Sequence, residues 1–167
     1  HGRCCRFDEN DARALGRTAS GVRGINIDED DEVIGMITYD PTAEDAQAHS
    51  LLVVSEHGYG KRSDFDEYRK TNRGGKGVKT LNITEKTGEL VAMKNVTDEN
   101  DLMIINRSGI TIRMAVADIK VAGRATQGVK LINIKDGDSI AAISAVNKSE
   151  EETSDQQAEP AQEQTNE

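Results

Sequence analysis

Three stretches of the 167-residue chain read Gly21-Val22-Arg23-Gly24-Ile25-Asn26-Ile27, Gly77-Val78-Lys79-Thr80-Leu81-Asn82-Ile83 and Gly128-Val129-Lys130-Leu131-Ile132-Asn133-Ile134. Each runs glycine, valine, a basic residue, then an apolar-Asn-Ile triplet at the same offsets. Nineteen residues before each stands another glycine: Gly2, Gly58 and Gly109. Four residues after that glycine comes an arginine (Arg6, Arg62, Arg113), and eleven further on a second (Arg17, Arg73, Arg124), with no gap. Self-similarity at a period of about 50 residues marks a repeat architecture, whose units stack because none buries its face alone. The starting glycines are 56 and then 51 residues apart, and the difference is assigned to the loop at 40–49.

Within a unit the periodicity is that of strands. Ile110, Ile112, Met114 and Val116 alternate with Thr111, Arg113 and Ala115, so the apolar side chains share one face. Residues 102–105 make a second strand. Asn106-Arg107-Ser108-Gly109 between them suits a hairpin turn with positive φ near the glycine. His57-Gly58 occupies the same turn after 51–54. The Gly-Val-basic segment and its triplet supply a third strand, and 33–37, 90–93 and 140–143 a fourth. The expected fold is all-β and propeller-like, with little helix. It comprises about three four-stranded blades at 1–48, 49–99 and 100–148. Three blades do not close a ring and their edge strands invite association, so the chain reads as a piece of a longer polypeptide.

The chain carries 21 Lys and Arg against 30 Asp and Glu, a balance that by itself argues against a polyanionic partner. The distribution reverses that impression. Seven acids and no base fall in 149–167, which leaves the body nearly neutral. That Glu-, Gln- and Ser-rich tail has too little apolar surface to offset the entropy of ordering, so it is expected to be disordered and to compete for any basic surface. Cys4 and Cys5 are adjacent, a poor geometry for a disulfide, and fit a reduced setting. The scattered His1, His49 and His57 offer no zinc ligand spacing. Nor does the Asp-rich stretch 28–32 have the ligand spacing of a calcium loop.

The sharpest local signal is Asn72-Arg73-Gly74-Gly75-Lys76-Gly77-Val78-Lys79. Consecutive glycines let backbone amides approach a phosphate, and the interleaved bases neutralise it. A nucleotide-binding loop would need glycine directly before the lysine and a helix after it, whereas Val78 precedes Lys79 and a strand follows. Arg17 with Arg23, Arg73 with Lys76 and Lys79, and Arg124 with Lys130 recur in one frame, so radial blades would set them along one rim that can follow a duplex backbone. Lys61, Arg62, Arg69 and Lys70 add to the second unit. These eleven cations, with Gly74, Gly75 and Gly77, are the expected phosphate contacts. Some of the arginines could instead pair with Asp64, Asp66, Glu67 or Asp118. Tyr39, Tyr59 and Tyr68 read as packing residues rather than nucleophiles, and no catalytic group is evident.

Residues 16–24, Tyr59-Gly60-Lys61-Arg62, 72–79 and 123–130 resemble the repeated signatures of the DNA gyrase A C-terminal domain family, over 1 to about 146. The resemblance implies a six-bladed β-pinwheel whose basic rim wraps double-stranded DNA, with this chain holding the last three blades. Residues 71–77 match the family's Gln-basic-Arg-Gly-Gly-basic-Gly box at five of seven positions, departing at Thr71 and Asn72. The resemblance further implies a bacterial, cytoplasmic and nucleoid-associated parent complex of two A and two B subunits. Its ATP-driven, Mg2+-using topoisomerase chemistry would lie on other domains, with no cofactor or catalytic residue in this chain. The similar A subunit of topoisomerase IV, or a propeller-like protein-interaction scaffold, are the alternatives.

Overall fold

The computed structural model describes residues 1–148, and the acidic tail lies outside them. The hairpin turns are where the repeat first becomes geometry. Gly2, Gly58 and Gly109 all have positive φ, at 67°, 82° and 86°, and so do Gly21, Gly77 and Gly128 at 80°, 70° and 78°. At these two repeated positions the turn needs a residue without a Cβ. Gly58 and Gly109 close their hairpins with amides donated to Ser55 O and Asn106 O, at 3.0 and 3.1 Å.

Strands β1 (Arg3–Cys4), β2 (Ser50–Ser55), β3 (Tyr59–Asp64), β4 (Val78–Lys79), β5 (Leu90–Val96), β6 (Asn100–Asn106), β7 (Thr111–Ala115), β8 (Val129–Lys130) and β9 (Ile140–Asn147) follow in chain order. Among the described residues helix is confined to short 3-10 turns, three of which (Glu9–Asp11, Phe65–Glu67 and Val116–Asp118) begin seven residues after the unit's glycine. Among the described residues no helix is long and apolar enough to cross a membrane.

The sheets are antiparallel, with orders β1-β4, β5-β2-β3-β8 and β7-β6-β9. Their membership corrects the expected blades. The Gly-Val-basic strand does not join its own unit's sheet. Val78–Lys79 of the second unit pairs with Arg3–Cys4 of the first, and Val129–Lys130 of the third pairs with Tyr59 and Gly60 of the second. Among the described residues only the middle sheet therefore has four strands. The last has three, because no further unit follows among the described residues to supply the fourth. Residues 33–37 form no strand. Their counterparts β5 and β9 pair with strands lying before Gly58 and Gly109, and no strand before Gly2 is among the described residues.

Burial follows from this stacking. On β2, Leu51 and Val53 point into one core with Phe65, Tyr68, Leu81 and Leu90, while Leu52 and Val54 point into another with Leu102, Ile104, Val116, Ile119 and Ile132. Both faces of the middle sheet are covered, which is why 51–54 is a continuous apolar run. On β6, Leu102 and Ile104 are fully buried but Ile105 is 39% exposed, because nothing covers the far face of the last sheet among the described residues.

The glycines record the same packing. A Cβ on Gly77 would collide with Cys4 O, and one on Gly128 would lie 2.5 Å from Gly60 O, whereas at Gly21 it would meet nothing within 4 Å. Likewise a Cβ on Gly58 would lie 2.7 Å from Ile132 O, and one on Gly109 would be in open space. Where two units meet, the glycine is required by close approach; at either end of the stack the same glycine is free of it.

Candidate nucleic-acid interface

The two repeated arginines act between units. Arg73 donates from Nε to Asp11 O at 3.0 Å and from Nη1 to Arg23 O at 2.5 Å. One unit on, Arg124 donates from Nε to Glu67 O at 3.0 Å and from Nη1 to Lys79 O at 2.9 Å. The acceptors stand at the same positions of the preceding unit. The other arginine reaches forward: Arg6 Nη1 donates to Phe65 O and Tyr68 O at 2.8 and 3.0 Å, and Arg62 Nε to Ile119 O at 2.6 Å. At the two ends of the stack these bonds are missing among the described residues. Arg17 is exposed with no such partner among the described residues, and Arg113 turns back to Asp101 within its own sheet at 2.7 Å.

Four of the expected phosphate contacts are engaged within the protein. Arg73 and Arg124 clamp the preceding unit's carbonyls. Lys61 and Arg62 are 1% and 8% exposed. The Lys61 ammonium donates to Gly123 O at 2.6 Å, to Arg124 O, and to Thr126 O and Oγ1 at 3.1 and 3.2 Å. Burial pushes its pKa down to about 8, opposed by Glu67 and abetted by Arg124. Arg62 adds an ion pair with Asp98. Both side chains are taken up by the third unit and its linker. The alternative pairing of the arginines with Asp64, Asp66, Glu67 or Asp118 carboxylates is not what occurs; backbone carbonyls take them, and only Arg124 N touches Glu67 Oε2, at 3.5 Å.

Arg17, Arg23, Arg69, Lys70, Lys76, Lys79 and Lys130 remain exposed. Lys70 pairs with Asp8 across the first joint, and that hydrogen bond holds the Asp8 carboxyl down to about 2. The others make no ion pair among the described residues. Arg23, Lys79 and Lys130 hold one position in successive units, the latter two on the outermost strands β4 and β8. In the glycine loop, Gly74 N donates to Gly24 O at 2.8 Å, and Gly75 O accepts from Asn26 N at 2.9 Å. The amides of Gly75, Lys76 and Gly77 donate to no acceptor among the described residues, and Arg69, Lys76 and the loop backbone line a shallow concavity.

Two basic residues missed in the sequence join this surface. Arg3 lies across from Lys79 in the β1–β4 ladder and donates to Lys76 O and Gly77 O at 3.0 and 3.3 Å. Lys86 sits 5.4 Å from the Tyr59 ring centroid. Neither belongs to the repeated basic frame, so the repeat could not point to them.

A model of the family described as "DNA gyrase C-terminal domain, beta-propeller" matches residues 1–40, 49–97 and 100–147. The chain belongs to this family. The DNA gyrase A subunit of Staphylococcus epidermidis strain ATCC 12228 is 46% identical over 151 residues, which is 90% of this chain and 16% of that protein. Its counterpart in Staphylococcus aureus strain MRSA252 is 45% identical over 159 residues, 95% of this chain and 18% of that protein. The chain thus spans about a sixth of the length of these gyrase relatives. A solved DNA gyrase A C-terminal domain superposes with TM-score 0.75 at 23% identity, over 86% of this chain and 47% of that one. The C-terminal domain of DNA topoisomerase IV does so with TM-score 0.76 at 21% identity, over 87% of this chain and 44% of that one. These likenesses establish the fold, and they fit the all-β pinwheel reading of the gyrase C-terminal family.

Proposed function

We propose that this chain is part of the DNA-wrapping C-terminal domain of a gyrase A subunit, and that its outer strands hold the duplex by its phosphates without reading bases. The observation that carries the reading is the recurrence of Arg23, Lys79 and Lys130, exposed and without an ion-pair partner, at one position of successive units in a member of the gyrase family. The contacts are then Arg17, Arg23, Arg69, Lys70, Lys76, Lys79 and Lys130, with the amides of 75–77 approaching a phosphate where glycine leaves them uncovered. The units fall at 1–48, 49–99 and 100–148. Strand cleavage and ATP hydrolysis belong to other parts of a cytoplasmic, nucleoid-associated complex of two A and two B subunits that introduces negative supercoils. The equal likeness to the topoisomerase IV domain concerns the fold alone, and the relatives at 45–46% identity favour gyrase.

A rim of this kind bends DNA, which costs on the order of 1 to 6 kcal/mol for each 20 to 30 base pairs and must be offset by a series of contacts. Such binding weakens with salt by a log–log slope of about 0.9 per phosphate neutralised. The test is fluorescence anisotropy of a short labelled duplex over a salt series. Arg23→Gln with Lys79→Gln should lower the slope by about 1.8. A folded chain whose binding is absent, or insensitive to salt, would overturn the reading.

A further inference from the structure

We propose that Lys86, held on the Tyr59 ring beside the rim cation Lys130, makes a further contact to a duplex phosphate, next to the one Lys130 meets, at the joint between the second and third units; the inference rests on the DNA-wrapping reading above. Lys130 stands directly across from Tyr59 in the β3–β8 ladder, its ammonium 6.0 Å from the ring centroid. Lys86 arrives from a different element, the turn before β5, at 5.4 Å from the same centroid. Two cations thus converge on one aromatic ring. Neither pairs with a carboxylate among the described residues. The ring attracts each ammonium, so both cations are held at this joint before an anionic group arrives.

The Lys86 turn is fixed. Thr87 is fully buried, and its amide donates to Thr84 O at 3.1 Å. Its hydroxyl accepts from Thr84 N at 2.9 Å. From β3's hairpin, His57 N donates to Thr87 O at 3.0 Å. Lys86 is therefore held beside Tyr59 by the unit's own core. At the first joint the position of Tyr59 is held by Arg3, across from Lys79. One joint thus presents a guanidinium and a lysine, the next a tyrosine with two lysines. Arg3, Lys79, Lys86 and Lys130 are all exposed at the joints where β4 and β8 pair with the preceding unit, which is where a duplex backbone crossing successive joints would meet them.

The test uses the 167-residue chain and a short fluorescein-labelled duplex in a salt series, with circular dichroism to confirm folding of each variant. Lys86→Gln and Lys130→Gln should each lower the log–log salt slope by about 0.9, and the double variant by about 1.8. Tyr59→Leu should weaken binding, while Tyr59→Phe, which keeps the ring, should bind as the parent does. A slope unchanged by Lys86→Gln, when Arg23→Gln with Lys79→Gln does lower it, would overturn this site and leave the rim standing. A parent chain with no salt slope would remove both. The chain has no tryptophan, Tyr68 is buried and Tyr39 stacks on Phe65 at 4.0 Å. Tyr39 is half-buried like Tyr59, so acrylamide quenching of tyrosine emission is read in a Tyr39→Phe background, where it reports Tyr59. Duplex should protect it, and lack of protection at saturating DNA would also overturn the proposal.

Discussion

Replacing the second repeated arginine by alanine in each unit in turn compares one sequence position in two structural settings. Arg73 and Arg124 each make two hydrogen bonds to carbonyls of the preceding unit, at 2.5 to 3.0 Å, and are half-buried. Arg17 is exposed and makes none of them among the described residues. A hydrogen bond with a charged donor contributes about 1.5 to 3 kcal/mol. Partial access of water to the vacated carbonyls reduces the sum, so Arg73→Ala and Arg124→Ala should each cost about 2 to 3 kcal/mol. Arg17→Ala should stay within about 0.5 kcal/mol, as for a surface residue. Urea unfolding followed by far-ultraviolet circular dichroism measures all three. Lysine in place of Arg124 should recover less than half of the loss, because one ammonium lacks the planar fork that spans both acceptors. If Arg17→Ala proves as costly as the other two, the arginine's contribution lies inside its own unit and the inter-unit clamp is wrong.

The glycines allow a parallel comparison by thermal melting. Gly21→Ala meets open space and should cost about 1 to 2 kcal/mol, the penalty for a side chain at positive φ. Gly128→Ala has nearly the same φ but puts its Cβ 2.5 Å from Gly60 O, and should cost clearly more. Lys61 gives a pH signature. Burial holds its folded pKa near 8, below the ordinary 10.5 of the unfolded chain, so between these values the unfolded state binds more protons. Its penalty is full below pH 8 and relieved as pH rises from about 8 towards 10.5. Against Lys61→Met, the parent should gain relative stability between about pH 7.5 and about 10, and an NMR titration of the Lys61 side chain with a midpoint near 10.5 would refute the assignment. Last, Asp8→Asn should leave the melting temperature nearly unchanged, since its pair with Lys70 is solvent-exposed, and should strengthen duplex binding at low salt by freeing Lys70.

The register of the repeat, the hairpin glycines and the alternation on β7 were legible because each depends on local chemistry: positive φ needs glycine, and a strand shows its faces with period two. Which sheet a strand joins is not local. Val78-Lys79 and Val129-Lys130 have the same pattern whether they pair within their own unit or with the one before, so the exchange of outer strands could not be read. The burial of Lys61 and Arg62 was not legible for a related reason. Adjacent basic residues on a strand suggest that at least one faces solvent, but both faces of the middle sheet are covered, and the carbonyls that receive them belong to residues roughly sixty positions later. Repetition of Arg73 and Arg124 suggested a repeated ligand contact, whereas what repeats is the joint. Lys86 escaped for the opposite reason: its counterparts Asp30 and Gly137 carry no positive charge, so nothing in the frame marks it.

Because every joint is a crossed strand, severing the chain between units does not separate them. A protease cutting in the exposed stretch 40–45 would leave the first fragment tied to the second by the β1–β4 ladder, by Arg6 reaching Phe65 O and Tyr68 O, and by Arg73 reaching back to Arg23 O. Nicked protein should therefore elute as one particle in native chromatography and fall into two bands only under denaturing conditions. By the same connectivity, units cannot be lost or gained singly without consequence. Excising the third would strip the middle sheet of β8 and uncover Leu52 and Val54, so changes in length during the divergence of such proteins have to be absorbed at the ends of the stack or accompanied by rebuilding of a neighbour.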